Sequence, residues 1–459
     1  MAKPIVALVG RPNVGKSTLF NRLAGERLAV VDETPGTTRD RLVALAEWRG
    51  RTVQIVDTGG IDPRTVRRSE PLSINSADYI DSIRQQAEMA ARDADAILFV
   101  VDVESGPTAA DVEIANLLRR QTRSGAEHVK TPVLLVVNKC DNAARRADAM
   151  AFYELGMGEP RPVSAFHGNG TGDLLDDLLD ALGPADIEPE AEDETIGVAI
   201  LGRPNVGKSS LLNRLLGEER VIVSSLPGTT RDAVDTQLVF QDQPIRLIDT
   251  AGIRRRGKVE PGVEKYSVLR ALRAIERSDV VLLLIDGSEA VAAQDAHIAG
   301  LVIDEYKSVV VLVNKWDLAP KGEGVRESYI EHLQDRLRFL AHVPVLFISA
   351  LTGYGVEGVL PLALQVQEER LRRIPTGELN RMLQEALEKH PPPTKSGKQP
   401  RIYYTSQVRT DPPTFLFSVN DPKLIHFSYQ RYLENQIRER YSFLGTPIRL
   451  SFRRRGKSG

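Results

Sequence analysis

Short, nearly unbroken apolar runs, each the length of a strand, alternate along most of this chain with stretches whose apolar positions recur at helical spacing. Ile5–Val9, Val53–Val56, Ala96–Val101 and Val133–Val137 make one set, and Ile196–Leu201 and Val280–Ile285 belong to a second. Strands of this kind are buried on both faces, so the pattern predicts mostly parallel sheets with helices on both faces, an α/β class. Helices are predicted directly after two of the runs, over Thr18–Leu23 and Ser210–Leu215. The pattern changes near Leu371. From there the chain predicts a helix over Glu378–Lys389, a breaker at His390-Pro391-Pro392-Pro393, a strand over Ile402–Val408 and a turn at Asp411-Pro412-Pro413. A strand over Phe415–Val419, a helix over Ile425–Tyr441 and a strand over Ile448–Phe452 follow, giving a small α+β module of order α-β-β-α-β.

The two sets are copies of one another. Gly10-Arg11-Pro12-Asn13-Val14-Gly15-Lys16-Ser17 recurs letter for letter as Gly202-Arg203-Pro204-Asn205-Val206-Gly207-Lys208-Ser209, at an offset of 192. Pro35-Gly36-Thr37-Thr38-Arg39-Asp40 recurs as Pro227-Gly228-Thr229-Thr230-Arg231-Asp232, and Asp57-Thr58-Gly59-Gly60 as Asp249-Thr250-Ala251-Gly252, at the same offset. Asn138-Lys139-Cys140-Asp141 matches Asn314-Lys315-Trp316-Asp317 at an offset of 176, so the first copy carries 16 more residues, placed in the polar stretch Asp62–Asn75. Between the copies, Pro184–Glu194 is acidic and without apolar period, and reads as a solvated linker. The expected boundaries are residues 1–183, a linker at 184–195, a second copy at 196–370 and the module at 371–459.

Each first motif fits G-x-x-x-x-G-K-[ST] between a strand and a helix N-terminus. Its glycines let backbone N–H groups curl around the α and β phosphates of a nucleotide, and the helix end adds partial positive charge. Lys16 and Lys208 then reach the β and γ oxygens, while the Ser17 and Ser209 hydroxyls ligate Mg2+. Asp57 and Asp249 are candidates to hold the same ion through water. One threonine of each pair completes the set; the sequence does not choose between Thr37 and Thr38 or between Thr229 and Thr230, and Thr38 and Thr230 are carried as candidates. Gly60 and Gly252 can each offer a backbone N–H to the γ-phosphate, so hydrolysis would release the threonine segment and the segment starting at Ile61 or Ile253, a two-state switch.

The fourth motif selects the base. A carboxylate such as Asp141 or Asp317 accepts both N1–H and N2–H2 of guanine, whereas adenine offers an acceptor at N1 and no amine at C2. GTP is therefore expected over ATP, which also argues against an adenylate-using kinase. Asn138, Lys139, Asn314 and Lys315 would brace the phosphate loop and pack along the base, with Cys140 and Trp316 between them and the carboxylate. Ser164-Ala165 and Ser349-Ala350 sit where a backbone N–H could meet the guanine O6; plain turn chemistry is the alternative.

Composition narrows the compartment and the partners. The lone Cys140 excludes any internal disulfide or cysteine-cluster metal site. No apolar run approaches the roughly 18 residues of a membrane span, and neither a signal-peptide core nor a prenylation box is legible at the ends, so no membrane is expected. The net charge of −2 hides an asymmetry: residues 371–459 hold 17 Lys/Arg against 7 Asp/Glu, or +10, leaving −12 for the rest. Basic groups supply phosphate affinity and rings can stack on bases, although the spacing of Phe415, Phe417, Phe427, Tyr432 and Tyr441 predicts that most module rings face its core. Arg453-Arg454-Arg455-Gly456-Lys457 is a phosphate-contact candidate or a solubilising tail.

Five nucleotide motifs in order, twice, resemble the translation-factor-related GTPases, and the tandem arrangement with a C-terminal module is similar to the bacterial ribosome-assembly GTPases of the TrmE-Era-EngA-like family. The resemblance spans nearly the whole chain. It implies two P-loop GTPase domains followed by a KH-like domain, GTP or GDP at two sites with Mg2+, and a cytoplasmic role in assembling the large ribosomal subunit. The subunit or its rRNA is the implied partner, with an activator protein as a further candidate, no DNA, and a monomeric chain. No G-x-x-G loop of the RNA-clamping kind occurs in residues 371–459, which puts KH-type RNA clamping in doubt.

Ile61 and Ile253 stand where Ras-like enzymes place a water-orienting Gln, so unassisted turnover on the order of 10^-4 to 10^-2 per second is expected. Relatives with this substitution use K+ liganded by an Asn of the phosphate loop, and Asn13 and Asn205 stand at that position; the alternative is that these residues only shape the loop. Arg39 and Arg231 precede Asp40 and Asp232, so local pairing is expected rather than an arginine finger. Arg254-Arg255-Arg256-Gly257-Lys258 has no counterpart in the first copy and is a candidate nucleotide-gated basic patch, or a solvated face. A scaffold in which GTP occupancy matters and hydrolysis does not is the alternative to an enzyme.

Overall fold

Strands form where the apolar runs predict them. β1 (Ile5–Val9) and β4 (Ala96–Asp102) are buried at every position, which requires cover on both faces. The computed structural model describes residues 3–25, 43–58, 87–88, 90–121, 131–183, 195–217, 221–223, 235–250, 268–320, 322, 324–337, 342–394 and 398–454. The chain divides into two units, Met1–Ala191 with Ser267–Arg270 and Glu192–Tyr266 with Ala271–Gly459.

In the first unit β1, β2 (Val43–Trp48), β3 (Arg51–Asp57), β4, β5 (Val133–Asn138) and β6 (Arg161–Pro162) form a sheet of order β2-β3-β1-β4-β5-β6. Neighbours are parallel except β2 against β3. The helices are α1 (Lys16–Gly25), α2 (Ala109–Gln121), α3 (Ala143–Asp148) and α4 (Thr171–Ala181). From β1 the chain moves to β3 on one side, then to β4, β5 and β6 on the other. Right-handed crossovers then place helices on opposite faces and leave a crevice at the carboxyl ends of β1 and β4. Register brings Leu8 beside Asp57, Val9 beside Phe99 and Asp102 beside Asn138, so the motif residues arrive at one edge.

The second unit repeats this plan. β7 (Ile196–Gly202), β8 (Val221–Val223), β9 (Thr236–Phe240), β10 (Gln243–Ile248), β11 (Val280–Asp286), β12 (Ser308–Asn314) and β13 (Val345–Phe347) pair in the order β13-β12-β11-β7-β10-β9-β8. Its helices are α5 (Lys208–Leu216), α6 (Val268–Glu276, from Ala271 onward), α7 (Ala293–Asp304), α8 (Val325–Arg336) and α9 (Val359–Leu371). Helices α1 and α5 begin at Lys16 and Lys208, two residues before the predicted starts, because the first turn is built from loop residues that carry no apolar period. The antiparallel strands β2, β8 and β9 lie outside the predicted runs; β2 and β9 are only partly buried, and such strands do not need continuous apolar sequence.

The module follows the expected order: α10 (Thr376–Lys389), β14 (Ile402–Arg409), β15 (Thr414–Val419), α11 (Phe427–Tyr441) and β16 (Arg449–Arg454). Leu379, Leu383, Phe415, Phe417, Leu433 and Phe443 form its core. Two expectations change. Phe427 is 45% exposed, because the buried stripe of α11 runs through Tyr429, Leu433 and Ile437 and places Phe427 about 200° away from Tyr429 at 100° per residue. Arg453 and Arg454 belong to β16, so part of the terminal basic run is sheet rather than tail; residues 455–459 lie outside the described ones.

The module docks on the second sheet through backbone as well as side chains. Val309 N donates to Gly445 O at 2.7 Å, Gly445 N donates to His342 O at 2.9 Å, and the Ser308 and Thr446 hydroxyls lie 3.0 Å apart. Arg370, buried at the end of α9, donates through Nε to Asp411 at 2.7 Å and through Nη1 to Tyr306 O at 2.8 Å. Gly445 has φ 66°, and a Cβ there would lie 2.7 Å from Val309 O, so the close approach needs glycine.

Candidate functional site

Where β1 runs into α1 the backbone takes conformations that favour glycine: Asn13 has φ 67°, Gly15 90° and Gly10 153°. A Cβ on Gly10 would lie 2.2 Å from Val100 O, and one on Gly15 2.2 Å from Asn138 Nδ2. The loop is thus packed against β4 and the end of β5. Lys16 is buried, its Nζ donating to Gly10 O at 2.7 Å and Arg11 O at 2.8 Å. Burial pulls its pKa down to about 8, against the opposing pull of Asp57. Ser17 Oγ donates to Asp57 Oδ2 at 2.8 Å, and Thr58 Oγ1 donates to Leu8 O at 2.6 Å.

Asn138 ties three segments together. Its Nδ2 donates to Val14 O at 2.9 Å, and its Oδ1 accepts the Ala165 N–H at 3.0 Å. The Asp141 carboxylate is exposed at the rim, held by Ser164 Oγ at 2.6 Å and by Arg145 at 3.3 Å. Lys139, at φ 65°, pairs with Asp102 at 2.6 Å and Glu104 at 3.3 Å, and the Asp102 hydrogen bond raises its pKa. Cys140 is buried with Sγ on Val137 O at 3.3 Å, and burial pushes the thiol up to about 11. Its side chain faces the core, so any contact of Cys140 with a base would be through backbone.

The second site repeats the bracing. Asn205 has φ 64° and Gly207 100°, and a Cβ on Gly207 would lie 2.2 Å from Asn314 Nδ2. Lys208 Nζ donates to Gly202 O at 3.0 Å, Asn314 Nδ2 donates to Val206 O at 2.7 Å, and the Ala350 N–H donates to Asn314 Oδ1 at 2.9 Å. Lys315 pairs with Asp286 at 2.6 Å; burial raises the Asp286 pKa, but the bonds from Lys315 and Ser288 outweigh it and hold the carboxyl below its usual value. Asp249, at φ 57°, donates its N–H to Asp235 at 3.0 Å, and the Thr250 and Thr236 hydroxyls lie 2.7 Å apart. Among the described motif residues the sites differ at one position: Trp316 packs its ring 4.3 Å from Phe347 where the first copy has the small Cys140.

Three supporting contacts escape the motif reading. Arg11 pairs with buried Asp111 at 2.8 Å and Arg203 with buried Asp295 at 3.0 Å, fixing the outer side of each phosphate loop. Asp102 and Asp286 orient the motif lysines. Arg22 donates to Ala165 O at 3.0 Å and Arg214 to Ala350 O at 3.4 Å, bracing each Ser-Ala turn from the first helix. A signal existed: Asp102 and Asp111 recur as Asp286 and Asp295 at an offset of 184, between the two offsets of the motifs.

The donors suit the group that the motifs imply. Ser17 and Asp57 present hard oxygens to each other across the end of β3, and Mg2+ prefers such ligands while keeping several waters. Thr37, Thr38, Gly59, Gly60 and Ile61, with Thr229, Thr230, Ala251, Gly252 and Ile253, lie outside the described residues, as do the acidic linker and Arg254–Arg256.

A family model for a 50S ribosome-binding GTPase matches residues 5–139 and again 197–315, and one for the KH-domain-like C-terminal part of EngA bacterial GTPase enzymes matches residues 373–453. "GTPase Der" of Thermomicrobium roseum is 52% identical over 100% of this chain and 97% of its own. The Moorella thermoacetica protein of that name is 53% identical over 99% of both. Among solved structures, Era in complex with MgGDPNP and nucleotides 1506–1542 of 16S ribosomal RNA is 22% identical, covering 57% of this chain and 93% of that chain at a TM-score of 0.29. No helix among the described residues is long and apolar enough to cross a membrane. The repeated loops, the base-reading motifs and the α+β module all fall inside full-length matches of about half identity, and the chain belongs to the Der family of tandem-domain GTPases.

Proposed function

We propose that both sites hold and hydrolyse GTP, and that the nucleotide state of each controls association with the large ribosomal subunit or its rRNA during assembly. The observation carrying this reading is that two loops 192 residues apart are braced by the same residues in the same way, Asn138 on Val14 and Asn314 on Val206, at 2.9 and 2.7 Å. The family model's description as a 50S ribosome-binding GTPase supports the partner. On this reading the domains are 1–183, 196–370 and 371–459 with the linker 184–195. The chain acts as a cytoplasmic monomer, with an activator protein as a further partner.

Lys16 and Lys208 exchange their loop carbonyls for β and γ oxygens and neutralise charge there. Ser17, Asp57 and Thr38, with Ser209, Asp249 and Thr230, would hold Mg2+, which supplies charge stabilisation on the phosphates when bound. Gly60 and Gly252 offer N–H groups to the γ-phosphate. Asp141 and Asp317 read guanine, while the Ala165 and Ala350 N–H groups, engaged by Asn138 and Asn314, hold the turns that border the base. Co-sedimentation of the chain with cell lysate under GDP, GTP and a non-hydrolysable analogue tests the switch. Comigration with the large subunit in only some states is expected; the same distribution in all three defeats the reading.

Neither Ile61 nor Ile253 can orient water, and K+ held by Asn13 and Asn205 is proposed to supply the missing charge. Both Asn residues take left-handed φ in loops that border the phosphates, at 67° and 64°. Turnover in potassium chloride is expected to exceed that in sodium chloride at equal ionic strength by roughly tenfold or more, about 1.4 kcal/mol of barrier. Equal rates in the two salts remove the ion from the account.

A further inference from the structure

Three of the four arginines in the module's strands lie on one face; Arg454, in the row Ile402–Val419–Arg454, is the exception. Opposed residues of paired strands share a face, and the register gives three outward rows: Tyr404–Ser418–Arg453, Ser406–Leu416–Ser451 and Arg409–Thr414–Arg449. The alternate rows, Thr405–Phe417–Phe452 and Gln407–Phe415–Leu450, turn toward the core. The strands contain no Asp or Glu, whereas Glu378, Glu385, Glu388, Glu434 and Glu439 all lie on α10 and α11. Arg409, Arg449 and Arg453 are exposed, and none forms an ion pair with another described residue. Arg449 instead lies over the Tyr306 ring, 5.6 Å from its centroid.

Two register shifts in β14 complete the surface. One falls between Ile402 and Tyr404 and the other between Gln407 and Arg409. Each extra residue keeps Ile402, Thr405 and Gln407 buried while leaving adjacent pairs outside, Tyr403 with Tyr404 and Val408 with Arg409. Tyr404 is 48% exposed. The outer edge of β14 is not available to a further strand at this point: Asn380 Nδ2 donates to Thr405 O at 2.8 Å, and Asn380 Oδ1 accepts the Thr405 N–H at 3.0 Å. A partner peptide therefore cannot extend the sheet there, and the face is what remains open.

We propose that this face takes single-stranded RNA, a base stacking on Tyr404 while Arg409 and Arg453 hold backbone phosphates. An exposed ring among cations without acids fits unpaired nucleotides, whose base faces are free, and not a duplex, whose base faces are stacked away. The inference builds on the RNA-associated function proposed above and names its surface, which differs from the RNA-clamping G-x-x-G loop that the module lacks.

The test uses the full chain, a labelled single strand of mixed sequence of about 12 nucleotides, and the duplex of the same sequence. Tyr404→Ala is expected to weaken the single strand roughly 5- to 150-fold. Arg409→Gln and Arg453→Gln should each lower the salt slope of binding by about 0.7. All three variants should retain the parent's GTP turnover and its circular dichroism and thermal unfolding profile, which together show that the nucleotide domains and the module fold. Failure of the parent to bind the strand, a stronger preference for the duplex, or a Tyr404→Ala affinity within about twofold of the parent overturns the inference. If the parent comigrates with ribosomal particles and the variants do too, the surface is wrong while the association stands; if the parent does not comigrate, the association itself fails. Loss of particle binding with unchanged affinity for the strand would make this a protein-docking face and would equally overturn the RNA assignment.

Discussion

Lys16→Ala is expected to silence the first site and Lys208→Ala the second, each lowering turnover at its own site roughly 10²- to 10³-fold. The cause is electrostatic. Lys16 is buried and held on two loop carbonyls, at 2.7 and 2.8 Å, so its ammonium is already inside the loop before any phosphate arrives. A preorganised cation in a site of low dielectric acts with little reorganisation and far more strongly than one in water. Alanine removes the charge and leaves the carbonyls of Gly10 and Arg11 without the donor they hold inside the loop. Counting fluorescent GDP bound per chain should fall from two to one in each single variant and to none in the double variant. Two full-affinity sites in both single variants, with parental phosphate release, would refute the assignment.

Asp141→Asn and Asp317→Asn should each turn their own site away from guanine and toward xanthine. A carboxylate accepts two charge-assisted hydrogen bonds from N1–H and N2–H2, at about 1.5–3 kcal/mol each. Losing one of them amounts to about 1.5–3 kcal/mol, or roughly 10- to 150-fold in affinity. The asparagine amide also sets a donor against the guanine amine, whereas the xanthine O2 can accept from it. At Asp141 the backbone should tolerate the change, because Ser164 Oγ donates to a single oxygen at 2.6 Å that the amide carbonyl can replace. Displacement of labelled nucleotide by GDP and by XDP decides it; an unchanged GDP preference at both sites removes these carboxylates from base recognition.

The phosphate loops show how much a sequence can say. Strand, glycines, lysine and hydroxyl are adjacent in the chain, so local conformation alone builds them, and left-handed backbone at Gly15 and Gly207 follows from the residue type. The duplication was equally legible, since an ungapped offset of 192 needs no folding to be seen. The order of elements in the C-terminal module also followed from apolar period and proline breaks, with ends shifted by one or two residues where polar turns join a helix or strand. One expectation failed on phase. Phe427 fell off the stripe set by Tyr429, Leu433 and Ile437 because the sequence allowed more than one buried face for α11.

Taken by itself, the sequence determined the fold class, the repeat, the nucleotide chemistry and the choice of guanine, because each is written in residues close together or in a repeated spacing. Tertiary structure decided the rest. Asn138 reaches Val14 across 124 positions, and the buried Asp111 and Asp295 become loop anchors, only because sheet order sets the carboxyl ends of β1, β4 and β5 side by side, and likewise β7, β11 and β12. The basic face of the module depends on two bulges and on the pairing of β15 with β14 and β16. Such features arise from register, which is settled by packing across strands and leaves no period in the chain.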